Sequence, residues 1–328
     1  MSSYIARRIL MMIPTLFAIS IVAFIIIQLP PGDYLTTYMA QLREQGDIVD
    51  EAELLRLRER YGLGQPIYVQ YFKWISGIVL RGDWGDSMYF RKPVADLIWE
   101  RVGLTFVLSF ATLLFSWCVA IPIGVYSATH QYSLPDYVVT AINFIGAATP
   151  DFVLALVIMW WVMTSFGVSV GGLFSPEYIN APWSWGKVKD LLAHIWIPLL
   201  ILAVGSTAGG VRITRANLLD QLNKPYVETA RAKGVPETKL IWKYPTRVAL
   251  NPFFSTAGWS LADLVSGTTI VSIVLSLQTT GPMLFTALTT QDMYLAGSFI
   301  LLLSGLTVIG TLLSDLLLVW VDPRIRLE

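Results

Sequence analysis

Residues 102–128 read VGLTFVLSFATLLFSWCVAIPIGVYSA. No side chain in this run is charged, and it exceeds the roughly 20 apolar residues that carry a helix through about 30 Å of hydrocarbon. It opens a stretch without Lys or Arg that lasts from Arg101 to Lys187; a second lies between Arg247 and Arg324. Lipid satisfies no backbone N–H or C=O, so runs of this length must be helices. Working outward, we read six spans: Ile9–Leu29, Val102–Ala128, Tyr137–Phe166, Leu191–Val211, Val248–Leu275 and Leu295–Val321. The expected fold class is an all-α integral membrane protein with six transmembrane helices.

Composition agrees. The 328 residues are 55% hydrophobic and 14% charged, with mean hydropathy +0.59. Soluble domains carry about 25% charged residues, so a water-soluble globule is excluded. Disorder is excluded by the 12% aromatic content, the opposite of its signature. The 23 basic and 23 acidic residues cancel, which leaves no global field to gather nucleic acid. Cys118 stands alone, and His130 and His194 are far apart; neither a disulfide framework nor a metal site is expected.

The first span follows Arg7-Arg8 as a signal peptide would. Its apolar run is longer than the roughly 7–15 residues of a signal h-region, and it ends in Leu29-Pro30-Pro31-Gly32-Asp33, without a small-residue cleavage site. It is read as a retained helix. With the N-terminus inside, the inside segments carry twelve Lys and Arg and the short outside loops two. Both termini are therefore expected in the cytoplasm. The organisation is an N-terminal end with the first helix over 1–30, an extracytoplasmic loop over 31–101, and a five-helix core over 102–328 with a cytoplasmic loop at 212–247. In the first loop, Glu51–Arg60 reads as a short amphipathic helix. In the loop 167–190, Trp183 and Trp185 suit the membrane interface.

The cytoplasmic loop runs RITRANLLDQLNKPYVETARAKGVPETKLIWKYPTR over 212–247. Pro225 can open a helix and Gly234 can close it, so Tyr226–Lys233 is expected to be a short helix. Glu228 and Ala232 share a face. Small residues at Ala230, Ala232 and Gly234 would let another protein approach closely. From physics alone the segment reads first as a solvated juxtamembrane helix touching lipid headgroups, and second as a contact for another protein.

Tyr226–Gly234, YVETARAKG, resembles the EAA loop of the permease subunits of binding-protein-dependent ABC importers, in their dipeptide/oligopeptide form. The acidic residue, Ala and Gly of that loop are Glu228, Ala230 and Gly234; Thr229 replaces its second Ala. Other motifs resemble the same family in order: Arg7-Arg8 with Ile13-Pro14-Thr15, Pro31-Gly32-Asp33, Tyr61-Gly62-Leu63 with Gln65-Pro66, and Gly82-Asp83-Trp84-Gly85 with Ser87. Ile121-Pro122-Ile123-Gly124-Val125, then Arg212, Thr214, Arg215 and Ala216, and finally Asp322-Pro323-Arg324-Ile325-Arg326 complete the series. Gln278-Thr279-Thr280-Gly281-Pro282 departs from the family's Pro-Gly-Leu-Gly, which leaves peptide and oligosaccharide both open as solutes.

The resemblance implies a type I importer permease fold in the inner membrane of a prokaryote. It implies a second homologous permease subunit, two ATP-binding cassette subunits, an extracytoplasmic solute-binding protein and the surrounding bilayer as partners, with no nucleic acid. Residues Tyr226, Glu228, Ala230, Arg231, Ala232, Lys233 and Gly234 would couple to the ATPase. The chain has no Walker-type Gly-Lys-Ser/Thr sequence, so it is expected to be no enzyme, with ATP and Mg held by the partner subunits and no cofactor or metal of its own.

Charges within spans cost about 2.5–3.5 kcal/mol each on insertion scales and face a cavity or a partner. Asp263 is read either as lining the path or a subunit contact, or as a structural hydrogen-bonding group. Asp315, two to three turns from Arg324, suits a structural ion pair or a helix-end contact. Asp151, after Pro150 at an expected break in the third span, either caps a helix or faces the path. Ser266, Thr268 and Thr269 offer hydroxyls near Asp263. Ser206 and Thr207 lie in the small-residue run Gly205–Gly210, which serves close helix packing or leaves room for solute. A membrane enzyme would need clustered catalytic groups, and a stand-alone secondary transporter or channel would need repeats or more spans. Neither needs an EAA-like loop.

Overall fold

The structure, a computed structural model, describes residues 2–28, 39, 55–56, 59–60, 62, 64–87, 89–167 and 170–321. Pro31-Gly32-Asp33, Tyr61, Leu63, most of the expected helix Glu51–Arg60 and the terminal Asp322–Arg326 lie outside these residues. The helices in chain order are α1 Ser2–Gln28, α2 Ile67–Ser76, α3 Val94–Thr129, α4 Leu134–Ala148, α5 Asp151–Phe166, α6 Trp185–His194 and α7 Trp196–Leu222. They continue with α8 Pro225–Ala232, α9 Glu237–Lys243, α10 Pro245–Ala249, α11 Asn251–Gly267, α12 Thr269–Val274, α13 Thr280–Thr289 and α14 Met293–Val321. A π-helical turn, Gly77–Arg81, extends α2, and a two-stranded antiparallel ribbon pairs β1 Asp86–Ser87 with β2 Lys92–Pro93.

Four single helices among the described residues are long and apolar enough to cross a membrane: α1, α3, α7 and α14. The other two expected spans are not single helices. The third breaks into α4 and α5, bent by 101°. Pro150 explains the break, because a residue before proline is driven out of the helical region; Thr149 is extended at φ −90°, ψ 121°. The fifth divides into α10, α11 and α12. Proline opens both α10 and α11, and the α11–α12 break falls at Thr268. The fourth span is longer than expected. Its helix runs on to Leu222, so Arg212, Thr214, Arg215 and Ala216 are helical, and the loop begins only at Asn223.

The chain divides into two compact units, Met1–Leu104 with Thr279–Val308, and Thr105–Gln278 with Ile309–Glu328. In the first, Val94 and Ile98 of α3 pack with Met283 and Ala287 of α13 and with Leu295 and Phe299 of α14. Ala23 and Phe24 of α1 pack with Tyr71 and Trp74 of α2 and with Tyr294. The Gly82–Ser87 motif ties down this unit. Gly82 takes φ +64° to end the π-helical turn, which costs a glycine nothing sterically. Asp83 Oδ1 accepts from the Gly85 N–H at 3.0 Å and from Arg60 at 2.9 Å. Burial pushes the Asp83 carboxyl up, but the Gly85 amide and the Arg60 guanidinium outweigh it and hold it below the ordinary carboxylate range. Asp292 is fully buried; its carboxylate accepts from the Ser87 hydroxyl, from the Tyr89 N–H at 3.2 Å and from the Leu295 N–H at 3.4 Å.

In the second unit, backbones approach where side chains are smallest. A Cβ on Gly124 of α3 would lie 2.5 Å from the Thr214 Cβ of α7, and one on Gly210 would lie 2.8 Å from the Ala120 Cβ. Small residues four apart on each helix thus face each other. α11 and α14 cross in the same way. A Cβ on Gly258 would overlap the Gly310 carbonyl, and one turn along, Ser314 Oγ donates to the Phe254 carbonyl at 2.7 Å.

Gly258→Ala is expected to lower the unfolding midpoint of the purified chain in detergent by several degrees, since overpacking costs about 1–3 kcal/mol. Gly209→Ala, whose added methyl meets no atom within 4 Å, should hold or raise the midpoint, because Ala favours a helix over Gly by about 1 kcal/mol. Equal midpoints for the two variants would remove the steric account of the crossing.

Candidate functional site

The segment after α7 forms a small self-supporting fold. Pro225 occupies the first turn of α8, where its missing N–H is no loss. The helix ends in a Schellman arrangement: Gly234 takes φ +72°, the Gly234 N–H donates to the Arg231 carbonyl at 3.0 Å, and the Val235 N–H donates to the Ala230 carbonyl at 3.3 Å. Only a residue tolerant of the left-handed region fits that position without strain. Val227 and Ala230 are buried against Leu240 of α9, with Val235, Ile241 and Tyr244 around them. Arg231 binds Glu237 at the start of α9, Nε to Oε2 at 3.2 Å and a terminal nitrogen to Oε1 at 2.6 Å. That pairing lowers the Glu237 carboxyl and raises the Arg231 guanidinium.

What remains outward is a short polar face: Tyr226, Glu228, Thr229, Ala232 and Lys233 are exposed. The Tyr226 hydroxyl donates to Gln221 Oε1 at 2.8 Å, and partial burial raises its pKa. The expected helix therefore forms, shifted by one residue to Pro225–Ala232. Ala230 departs from its expected role as an open contact. It is buried in the chain's own loop, and its smallness serves α8–α9 packing. Gly234 is the cap, and its exposed backbone has no atom within 4 Å of a would-be Cβ.

The base of this segment is anchored by a residue the sequence reading passed over. Asp136 is buried at the start of α4. Its carboxylate accepts from Arg215 of α7, Nε to Oδ1 at 3.2 Å and a terminal nitrogen to Oδ2 at 3.0 Å. It also accepts from the Ser127 hydroxyl of α3 and from the Tyr132 N–H at 3.0 Å. One acid thus joins three helices and a turn. The available signal was Ser133-Leu134-Pro135-Asp136, a helix-start pattern: Ser133 is the N-cap, and its Oγ accepts from the Asp136 N–H at 3.4 Å.

The polar candidates within the spans gather in part. Asp151 is half-buried in the first turn of α5. It does not cap that helix, whose N-cap, Pro150, makes no side-chain cap bond. Its Oδ1 lies 3.4 Å from where a Gly205 Cβ would stand; the neighbouring Ser206 shares a 2.7 Å hydrogen bond with Ser116. The Thr207 hydroxyl is buried without a hydrogen-bond partner among the described residues. Asp263 is exposed on α11, Thr268 and Thr269 are half-buried at the α11–α12 break, and the side chain of Ser266 lies outside the described residues. α12, which carries Thr269, packs on α5, which carries Asp151. The departing segment Gln278–Pro282 enters α13, with Thr279, Thr280 and Gly281 buried. Asp315 lies on α14, and its expected partner Arg324 is outside the described residues.

Comparison with known proteins adds three findings. The family described as "Binding-protein-dependent transport system inner membrane component" matches residues 120–327, and its N-terminal companion, "Binding-prot-dependent transport system membrane comp, N-term", matches residues 1–109. The oligopeptide transport system permease protein AppB of Bacillus subtilis is 34% identical over 99% of this chain and 100% of its own. The glutathione transport system permease protein GsiC of Shigella flexneri is 31% identical over 99% of each, and the dipeptide transport system permease protein DppB of Alkalihalophilus pseudofirmus is 30% identical over 99% and 100%. Among solved structures, a chain of the MetNI methionine ABC transporter in an inward-facing form aligns with TM-score 0.53 at 18% identity, covering 69% of this chain and 96% of that one. That last likeness bears on the fold.

Arg215→Met would strand Asp136 among buried groups and is expected to cost up to about 3 kcal/mol, measured as a lower unfolding midpoint in detergent. Adding Asp136→Leu should return part of the loss. Strictly additive losses in the double variant would show that the two side chains do not act as a pair.

Proposed function

The chain belongs to the family of binding-protein-dependent transport system inner membrane components and is a permease subunit of an ABC importer; from that premise we propose how it works. It forms half of a solute path with a second homologous subunit, takes solute from an extracytoplasmic binding protein, and is driven by two ATP-binding subunits docked on α8. Both termini face the cytoplasm. ATP and Mg belong to the partners, and this chain hydrolyses nothing.

One observation carries the coupling assignment. The Schellman cap and the buried Val227 and Ala230 hold α8 as a fixed element whose outer face presents Tyr226, Glu228, Ala232 and Lys233. A short rigid helix with small and charged residues outward suits a cleft on another protein, and Arg231 steadies it through Glu237 rather than reaching out. The ion-paired base at Asp136–Arg215 supports the reading further, because it links α7, which leads into α8, to α3 and α4. Relatives named for oligopeptide, dipeptide and glutathione transport favour a short peptide over an oligosaccharide as solute. Asp151, Ser206 and Thr207 on one side, and Asp263, Ser266, Thr268 and Thr269 on another, are the groups we assign to the path.

A pull-down of the tagged chain from mild-detergent membranes should recover a homologous permease and ATP-binding subunits. Recovery of the chain alone would move the reading to a stand-alone transporter. Glu228→Ala and Gly234→Asp should each cut peptide uptake by about tenfold, within the usual range of coupling energies, at unchanged membrane levels. Unaltered uptake and ATPase stimulation in both would sink the role of α8. Asp263→Asn should impair uptake more than Asp315→Asn; the reverse ranking would count against a path role for Asp263.

A further inference from the structure

Within the first unit lies a cavity of about 500 Å³, lined by residues from α2 and the π-helical turn together with Glu59, Arg60, Asp83, Gly85 and Tyr294. That volume falls in the range of small-molecule sites, about 300–1,000 Å³. Its charged groups are unequally committed. Arg60 is held by Asp83 and Asp86. Lys73 donates to the Glu59 carbonyl at 3.0 Å, which uses one of its three N–H donors. Arg81 lies near enough to Asp83 to lower its carboxyl, yet makes no hydrogen bond to a described residue. The Glu59 carboxylate likewise has no hydrogen-bond partner among the described residues. Trp74 is only 6% exposed and lines the cavity, and its indole N–H is buried without an acceptor.

The uncommitted groups are therefore two cations, with one carboxylate beside them. We propose that this cavity binds a small zwitterion, a free short peptide, through its terminal carboxylate. Arg81 and Lys73 take the carboxylate, and Glu59 faces the ammonium group. The site is separate from the polar residues of the spans: each of its lining residues belongs to the first unit. The choice of a peptide rests on the transport reading above; the preference for a carboxylate rests on the cavity alone.

The test is equilibrium dialysis of radiolabelled tri-alanine against the purified full chain in detergent, without ATP-binding subunit or binding protein. Saturable binding is expected. Tri-alanine amide should bind about tenfold more weakly, as should tri-alanine to Arg81→Gln, because each change removes one charge-assisted interaction. N-acetyl tri-alanine should lose less, since Glu59 is exposed and exposed ion pairs contribute little. Lys239→Gln, on the exposed surface of α9 in the second unit, should bind as the parent does. No saturable binding up to about 10 mM, equal affinity for the acid and the amide, parental affinity in Arg81→Gln, or loss of binding in Lys239→Gln would each overturn the site. Acetate competing as well as tri-alanine would also overturn it, by showing a bare anion site. A chain that binds tri-alanine but recovers no ATP-binding subunit would refute the importer reading and leave the cavity site standing; the converse result would refute the cavity site alone.

Discussion

Close approach of helix backbones governs the second unit. In hydrocarbon, helices gain little from hiding apolar side chains, so association relies on packing at short range. Ala120 and Gly124 against Gly210 and Thr214, and Gly258 against Gly310, provide that range. Each crossing sets where polar groups further along the same helices arrive. The α3–α7 crossing lies between the Ser116–Ser206 bond and the Asp136–Arg215 pair. The α11–α14 crossing is closed by Ser314 on the Phe254 carbonyl. Glycine in these helices marks contact, at some cost in intrinsic helix propensity.

Breaks in the spans carry the opposite message. Pro150 and the Gly267-Thr268 junction interrupt helices in a setting where unpaired backbone groups are expensive. Such interruptions persist where protein or water covers them. Candidate polar residues sit at both: Asp151 directly after Pro150, and Thr268 and Thr269 at the junction. The proline at 150 was legible from the sequence, since its effect on the preceding residue is local and steric. The subdivision of the fifth span was not, because Gly267-Thr268 is compatible with a continuous helix until its neighbours are known.

The same division applies to the candidate site and the segment that carries it. α8 could be read almost to the residue, because Pro225 and Gly234 act through backbone geometry within one turn. Where α7 ends could not, since Arg212 and Arg215 look like loop charges until Asp136 is seen to hold Arg215 alongside α4. Asp136 and Asp292 escaped notice for one reason: each is a single acid at a helix start, and its partners lie 79 and 205 residues away. Ala230 shows the reverse error. A small residue suggests an open contact, yet here it fills the α8–α9 interface.

The pre-set shape of α8 has a thermodynamic consequence. Segments that order only on binding lose conformational entropy at that moment, and the loss is subtracted from affinity. α8 has already met that cost through its cap, its buried pair and the Arg231–Glu237 bridge. A partner seated on its outer face would meet side chains at fixed spacing, and its displacement would pass to α7, which ends at Leu222. By linkage, a rigid connection works equally in both directions: whatever a partner imposes on the spans through α8, a change in the spans imposes on the partner's own binding equilibria.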